Sequence, residues 1–180
     1  MLWWDTHLTS GTRMMRSSVA TFILAAACLC LTLPASSQTP NRKDMSMTLR
    51  AAGTFDVKTT PLPPDEVTGG PAIGRYALNK QFRGDLEAAG KGEMLGSGDP
   101  AQGQAGYVAI EIVTGTLRGR SGSFALQHSG VMQHGQFTLN VTVVPGSGTG
   151  QLAGITGTMT ISSAAGIHSY SFVYTLPGAQ

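Results

Sequence analysis

The sequence predicts an all-β protein built around one eight-stranded antiparallel β-barrel. Apolar and polar residues alternate with a period of two in eight segments, and no segment beyond residue 47 carries a helical apolar stripe ten residues long. The chain holds 24 Gly and 9 Pro in 180 residues, and many of them lie between the alternating segments. Strands with short connections pair antiparallel with their neighbours, and closing eight of them removes both sheet edges. A two-sheet sandwich is the alternative that this pattern leaves open.

The first 37 residues predict a signal peptide helix ahead of the barrel. Arg13 and Arg16 precede an uncharged apolar run from Val19 to Leu33, and Ala35-Ser36-Ser37 forms a small-x-small cleavage site. The run has about 15 residues, whereas a bilayer span needs roughly 20, so no stable membrane span is expected after cleavage. We therefore expect an exported protein, either periplasmic or secreted.

Two alternatives stay open for this segment. Cys28 and Cys30 both lie in the apolar run, so cleavage after Ser37 leaves a mature chain without disulfide or thiol chemistry. Residues 25–28 loosely resemble a lipobox, which would instead anchor a lipoprotein through Cys28. The true translation start could be Met14 or Met15, because the stretch before Arg13 is longer and more polar than a signal peptide requires.

Residues 38–47 are polar and predict a flexible tether, and residues 48–177 predict the barrel domain. The first strand starts at Thr48 and ends at the proline cluster of residues 61–64, because proline donates no ladder hydrogen bond. A loop is expected over Thr60–Gly74. The second strand covers Arg75–Arg83, and Gly84-Asp85 turns the chain into the third.

The remaining strands follow the same logic of alternation broken by turn residues. A polar, glycine-rich loop is expected over Gly96–Gln104, after which alternation resumes most strongly at Tyr107–Leu117. Arg118-Gly119-Arg120 and residues 133–135 predict turns, and Ala164-Ala165-Gly166 is short enough only for a hairpin. The predicted third to eighth strands are Leu86–Leu95, Tyr107–Leu117, Ser123–Met132, Gln136–Val144, Gly157–Ser163 and His168–Leu176.

Several motifs in order resemble the bacterial domain of unknown function 3224 family. They include KQFRGDLE at residues 80–87, GKGEML at 90–95, AGYVAIE at 105–111, GRSGSF at 119–124, QHSG at 127–130 and VPGSGTG at 144–150. The resemblance covers about residues 48–176. That family is similar in fold to the allene oxide cyclase barrel, so the resemblance implies a barrel rather than a sandwich. It implies no reaction, because the family has no established activity.

Two residues are candidates for catalysis and ligand binding. His128 shares one strand face with Phe124 and Leu126, which places it in the barrel interior, where it acts as an acid/base or ligand contact or as a satisfied core histidine. Glu111 shares a face with Tyr107 and Val113, and a His128–Glu111 pair across neighbouring strands is possible. Glu87, Glu93 and Glu111 are either ordinary solvated charges or, if one of them points inward, a functional candidate whose pKa burial would raise.

Tyr107 and Tyr170 complete the candidate ligand-binding set. Tyr170 belongs to an aromatic stripe that follows His168, and such a stripe lines a ligand cavity or simply fills a core. His134 is expected to be exposed at its turn. No metal site and no cofactor are expected, since the histidines form no close pair and phosphate-loop and dinucleotide motifs are missing from the sequence.

Charge and motifs together leave a binding protein as the leading function. The formal net charge is only +2, without basic runs, so a nucleic-acid partner is not expected. The leading hypothesis is a barrel that binds a small, mainly apolar molecule in its interior. One alternative is an isomerase or cyclase of a lipid-like or phenolic substrate, and another is a structural oligomer with a filled core. Whether the protein is an enzyme stays open, and a homo-oligomer is expected from the resemblance.

Overall fold

A computed structural model describes residues 47–64, 66 and 72–178. The predicted signal peptide, the alternative starts, the lipoprotein alternative at Cys28 and nearly all of the tether lie outside the described residues. Within the described part of the chain, no helix is long and apolar enough to cross a bilayer.

The described residues form a closed, antiparallel barrel of eight strands, which confirms the predicted fold. Each strand pairs with the next one in sequence, and β8 pairs back with β1 from Phe55↔His168 to Thr48↔Thr175. The strands are β1 Thr48–Pro61, β2 Gly74–Gly84, β3 Leu86–Asp99, β4 Gln104–Leu117, β5 Arg120–Gln133, β6 Gln136–Val143, β7 Thr156–Ala164 and β8 Ile167–Thr175. The pleat sends every second side chain inward, which explains the period of two.

Three tight hairpin turns fix the register of three of the eight strand pairs. The pairs Arg118-Gly119, His134-Gly135 and Ala165-Gly166 all have positive φ, between 47° and 78°. Two successive left-handed residues are typical of a type I′ turn, whose twist matches that of the flanking strands. The turns therefore place Glu111 on β4 and His128 on β5 close together, since Ala109 pairs with His128 and Glu111 with Leu126.

The predicted loop over Gly96–Gln104 is wrong for its first part. Gly96 to Asp99 continue β3 and pair with Gln104 to Tyr107 of β4, so the hairpin is longer than its composition indicates. The connection itself is a 3-10 turn at Pro100–Gln102, where the Asp99 side chain accepts a hydrogen bond from the Ala101 amide at 2.9 Å. Similarly, β1 extends to Pro61, which pairs with Tyr76 at the start of β2.

One end of the barrel interior is filled by large side chains, and we call it the packed end. Phe124 and Phe172 stack with ring centroids 5.7 Å apart, and Phe172 stacks on Tyr174 at 5.0 Å. Buried neighbours complete this layer, namely Val113, Leu117, Leu126, Val143, Leu152, Ile155 and Leu176. Burial of these apolar side chains stabilises the barrel.

The segment between β6 and β7 closes the packed end. Its side chains replace a strand partner for β5, because Ser147 Oγ and Thr149 Oγ1 accept hydrogen bonds from the amides of Ala125 and Ser123, each at 3.0 Å. The same segment then inserts Leu152, which is 1% exposed. The connection therefore satisfies backbone donors and fills the core at once.

The outer face of β4 is unusually apolar. Val108, Ile110 and Ile112 point outward and each exposes about half of its surface, with Val131 beside them on β5. The predicted homo-oligomer stays a prediction.

Candidate functional site

The other end of the interior is open, and we call it the open end. The described residues outline a pocket of about 340 Å³ there, with a largely apolar lining that contains Lys80, His128 and His168. The other lining residues include Val57, Leu78, Tyr107, Leu139 and Ile161. A second pocket of about 540 Å³ adjoins it and shares Met94, Tyr107 and Phe137. The open end has the concave apolar form of small-molecule sites.

A buried ion pair lies between the two ends of the barrel. Lys80 on β2 is 7% exposed and Glu111 on β4 is 0% exposed. The Lys80 Nζ atom donates a hydrogen bond to Glu111 Oε1 at 3.0 Å and lies 3.0 Å from Oε2 as well. Oε2 is thus in ion-pair contact, although it accepts no directed hydrogen bond from any described group. Removing either partner would leave a charge in a low-dielectric interior, which is costly.

His128 binds the same carboxylate from β5. Its Nε2 atom lies 3.3 Å from Glu111 Oε1, and the side chain is 3% exposed. Lys80, Glu111 and His128 therefore form one buried cluster, in which Lys80 and His128 line the pocket and Glu111 lies directly behind them. The possible His128–Glu111 pair seen in the sequence is present.

The aromatic rings beneath the pocket hold the ammonium group of Lys80. Nζ lies 5.2 Å from the ring centroid of Phe55 and 5.8 Å from that of Phe82. Cation–π attraction at these distances favours the charged lysine. The aliphatic part of the lysine completes the wall of the barrel between Leu78 and Phe82.

Gly90 on β3 makes room for the cluster. A Cβ atom added there would lie 3.3 Å from Glu111 Oε2, 3.3 Å from Lys80 Cβ and 3.2 Å from Phe82. All three contacts are tight, so the absence of a side chain creates the space that the carboxylate occupies. The motif KQFRGDLE…GKGEML thus contributes Lys80 and Gly90 to one site.

The electrostatics keep Glu111 ionised at neutral pH. Burial raises its pKa, but the hydrogen bond with His128 and the charge of Lys80 outweigh burial and leave the pKa below the ordinary value of 4.5. Because an ionised carboxylate can only accept hydrogen bonds, the His128 Nε2 atom must carry the proton that it shares with Glu111.

Tyr107 lies at the rim of the site. Its ring packs over Gly130, where a Cβ atom would come within 2.3 Å of the ring, and it stacks on Phe137 with centroids 6.2 Å apart. Burial and the nearby charge of Glu111 both raise the pKa of its hydroxyl, so it is a neutral hydrogen-bonding group. Tyr107 borders both pockets of the open end.

Tyr170 has a different environment from the other three candidates. Its hydroxyl accepts a hydrogen bond from the Leu86 amide at 2.9 Å and donates one to the Arg83 carbonyl at 3.3 Å. Its ring meets Phe82 edge-on, and it does not belong to the lining of the pocket at the open end. The hydroxyl is thus occupied by backbone groups of the β2–β3 turn.

The other residues that the sequence analysis singled out do not join the buried cluster. Glu87 and Glu93 point outward, and Glu93 pairs with Arg75 at 2.7 Å. His168 lines the pocket and stacks on Phe55 at 5.2 Å, whereas His134 is exposed at its turn. Among the described residues, no three His, Cys, Asp or Glu side chains gather as metal ligands would.

Sequence reasoning missed Lys80 as a site residue. The available signal was its position between Leu78 and Phe82 in the alternation of β2, which assigns it to the inward face. The roles proposed for His128, Glu111, Tyr107 and Tyr170 in binding or catalysis stay predictions.

The comparison with known protein families covers the strands that carry this cluster. The family model described as "Protein of unknown function (DUF3224)" matches residues 51–174, more than half of the chain. The chain belongs to the DUF3224 family. No curated protein matches it significantly.

A solved structure from the DUF3224 family agrees with this assignment. The chain is similar to a protein with unknown function from this family in Shewanella oneidensis, with 48% sequence identity and a TM-score of 0.67. The match covers 74% of this chain and 100% of that one. The similarity of the DUF3224 fold to the allene oxide cyclase barrel stays a prediction from the sequence.

Proposed function

We propose that this DUF3224 protein binds a small, mainly apolar molecule in the open end of its barrel. The observation that carries the proposal is the pocket of about 340 Å³, which places Lys80 and His128 among apolar side chains. Apolar walls supply affinity, and a few convergent polar groups fix the orientation of a ligand. A barrel built only for stability has no need of a buried charge cluster that faces a pocket.

A binding titration with a neutral hydrophobic dye, N-phenyl-1-naphthylamine, tests this proposal. The variant Leu139→Trp fills the pocket, while Thr138→Trp adds the same ring at the neighbouring exposed position. We expect saturable binding to the wild type and to Thr138→Trp, and its loss in Leu139→Trp. Absence of saturable binding to the wild type would instead favour a structural protein with a filled core.

Native mass spectrometry of protein purified from its source cells identifies a natural ligand. A bound mass that leaves on denaturation supports the proposal, and its composition gives the ligand class. A clean mass together with no dye binding would argue against it.

The second candidate function is an isomerase or cyclase of a lipid-like or phenolic substrate. The specific observation in its favour is the imidazole of His128, which a buried carboxylate orients as in hydrolytic triads. Such an enzyme would lose turnover in His128→Ala or Glu111→Gln while it still binds substrate. Equal loss of binding and turnover would indicate a role in binding alone.

The proposed location is outside the cytoplasm, on the strength of the signal-peptide pattern in residues 1–37. N-terminal sequencing of the exported protein is expected to begin at Gln38. A lipid-modified Cys28 at the N-terminus would indicate the lipoprotein alternative, and an unprocessed cytoplasmic chain would contradict export.

A further inference from the structure

The hydrogen bonding of His128 leaves one ring nitrogen for a ligand. Nε2 carries the proton that it shares with Glu111, so in the neutral form of the ring Nδ1 is an acceptor. Nδ1 has no hydrogen-bond partner in the described part of the chain and is not completely enclosed. Since His128 lines the pocket, this lone pair faces the space that a ligand would occupy.

Lys80 borders the same pocket, but its ammonium is engaged by the carboxylate. Nζ donates a hydrogen bond to Glu111 Oε1 at 3.0 Å and lies 3.0 Å from Oε2. Because His128 Nε2 binds the same Oε1 at 3.3 Å, the ammonium lies on the Nε2 side of the imidazole, and Nδ1 is the acceptor on the other side.

The charge balance of the cluster restricts the ligand further. Lys80 and Glu111 neutralise each other, so the base of the pocket carries no net charge while His128 is neutral. A carboxylate ligand would present only acceptors to Nδ1 and would leave water without gaining a net counter-charge. An ammonium ligand would be repelled by Lys80 in the same low-dielectric surroundings.

We infer that the ligand of the open end is a neutral, mainly apolar molecule with a hydroxyl group. That hydroxyl donates a hydrogen bond to His128 Nδ1. The inference rests on the proposed function and adds the class of polar group that the site recognises.

Four probes with the same two fused rings test the inference by calorimetric titration. They are 1-naphthol, 1-methoxynaphthalene, 1-naphthoate and 1-naphthylmethylammonium. The methoxy compound keeps the oxygen but lacks the donor, so it isolates the bond to Nδ1. We expect 1-naphthol to bind about 3- to 10-fold more tightly than 1-methoxynaphthalene, as one net hydrogen bond predicts, and both charged probes to bind more weakly.

Two histidine variants test whether His128 causes the difference in affinity between 1-naphthol and 1-methoxynaphthalene. In His128→Leu the ratio of the two neutral affinities should fall to about one. His168→Leu removes the other histidine that lines the pocket. In this variant the ratio of the two neutral affinities should be unchanged. A ratio of one in the wild type, or tightest binding of 1-naphthoate, would overturn the inference.

Nitrogen-15 NMR of the wild type keeps the inference testable even where His128→Leu does not fold. We expect the Nε2–H tautomer for the neutral ring of His128, and a proton on Nδ1 instead of Nε2 would contradict the inference. Binding of the neutral probes without preference rejects the hydroxyl but keeps the proposed function, whereas failure of all four probes to bind rejects both.

Discussion

The two ends of the barrel interior use the same eight strands for opposite purposes. At the packed end, Phe124, Phe172 and Leu126 are each at most 1% exposed, and Leu152 closes the layer. At the open end, the inward positions of the same strands hold half-buried residues such as Leu139 and Ile161, which border a pocket. The two ends also differ in their backbone, because β6 and β7 pair only at Thr142↔Thr158 and the segment between them inserts Leu152 into the packed end.

Within one closed sheet, the packed end stabilises the fold and the open end is available to bind a ligand. The residues of the packed end bury apolar area and include no charged side chain. The charge cluster lies where that layer stops, with Glu111 one inward position before Val113 and His128 one after Leu126. A closed barrel thus supplies rigid walls on which a costly buried cluster is held in one geometry.

The largest expected effect comes from breaking the ion pair at the boundary between the ends. Glu111→Leu should lower the free energy of unfolding by about 3–5 kcal/mol, because it leaves the Lys80 charge buried without a partner. The double variant Lys80→Met/Glu111→Leu should regain most of that loss. Urea denaturation of the two variants checks this, and equal stability of both would contradict the account of the pair.

A matched pair of leucines compares the two ends directly. Leu126→Ala should cost about 2–5 kcal/mol, because the packed end cannot collapse around the cavity. Leu139→Ala should cost only about 1 kcal/mol, since this half-buried side chain already borders an open pocket. Denaturant midpoints at constant m-value measure both losses, and equal losses would remove the distinction between the ends.

The depressed pKa of Glu111 predicts a pH dependence of stability. A carboxyl whose pKa is lower in the folded state stabilises the protein above its ordinary pKa of 4.5, and this contribution is lost as pH falls through the folded pKa. The stability difference between the wild type and Glu111→Gln should therefore shrink as the pH falls below 4.5. A difference that grows over that range would have the wrong sign.

The smallest effect is expected on the outer surface. Arg83 and Asp56 form a shorter ion pair than the buried one, at 2.6 Å, but their side chains are 57% and 76% exposed. Asp56→Asn should change the free energy of unfolding by less than about 1 kcal/mol. Thermal unfolding in low salt measures this change, and a loss as large as that of Glu111→Leu would show that distance rather than burial governs these pairs.

Much of this architecture could be predicted from the alternation of apolar and polar residues in the sequence. The period of two on β5 predicted the inward face of His128, whereas on β4 it grouped Glu111 with Tyr107 and Val113 and left the direction of that face open. Short turns such as Arg118-Gly119 predicted antiparallel neighbours. The resemblance to the DUF3224 family favoured the barrel over a sandwich. The loop expected at Gly96–Gln104 was too long, because glycine marks flexible backbone and says nothing of cross-strand pairing.

The composition of the site was less accessible from the sequence. Register decides which of two inward side chains on neighbouring strands meet, and it depends on packing across the whole barrel. Lys80 was overlooked because lysine is usually exposed, although Leu78 and Phe82 flank it on the inward face. The role of Gly90 as the space for a carboxylate arises only from three strands together.

The most direct test of the account is an NMR titration of the wild-type protein with 1-naphthol. The account predicts saturable shifts at the open end, with His128, Leu139 and Ile161 the most affected, and little change at Phe124, Phe172 and Leu152. No saturable shifts, or shifts centred on the packed end or on the outer face of β4, would contradict it.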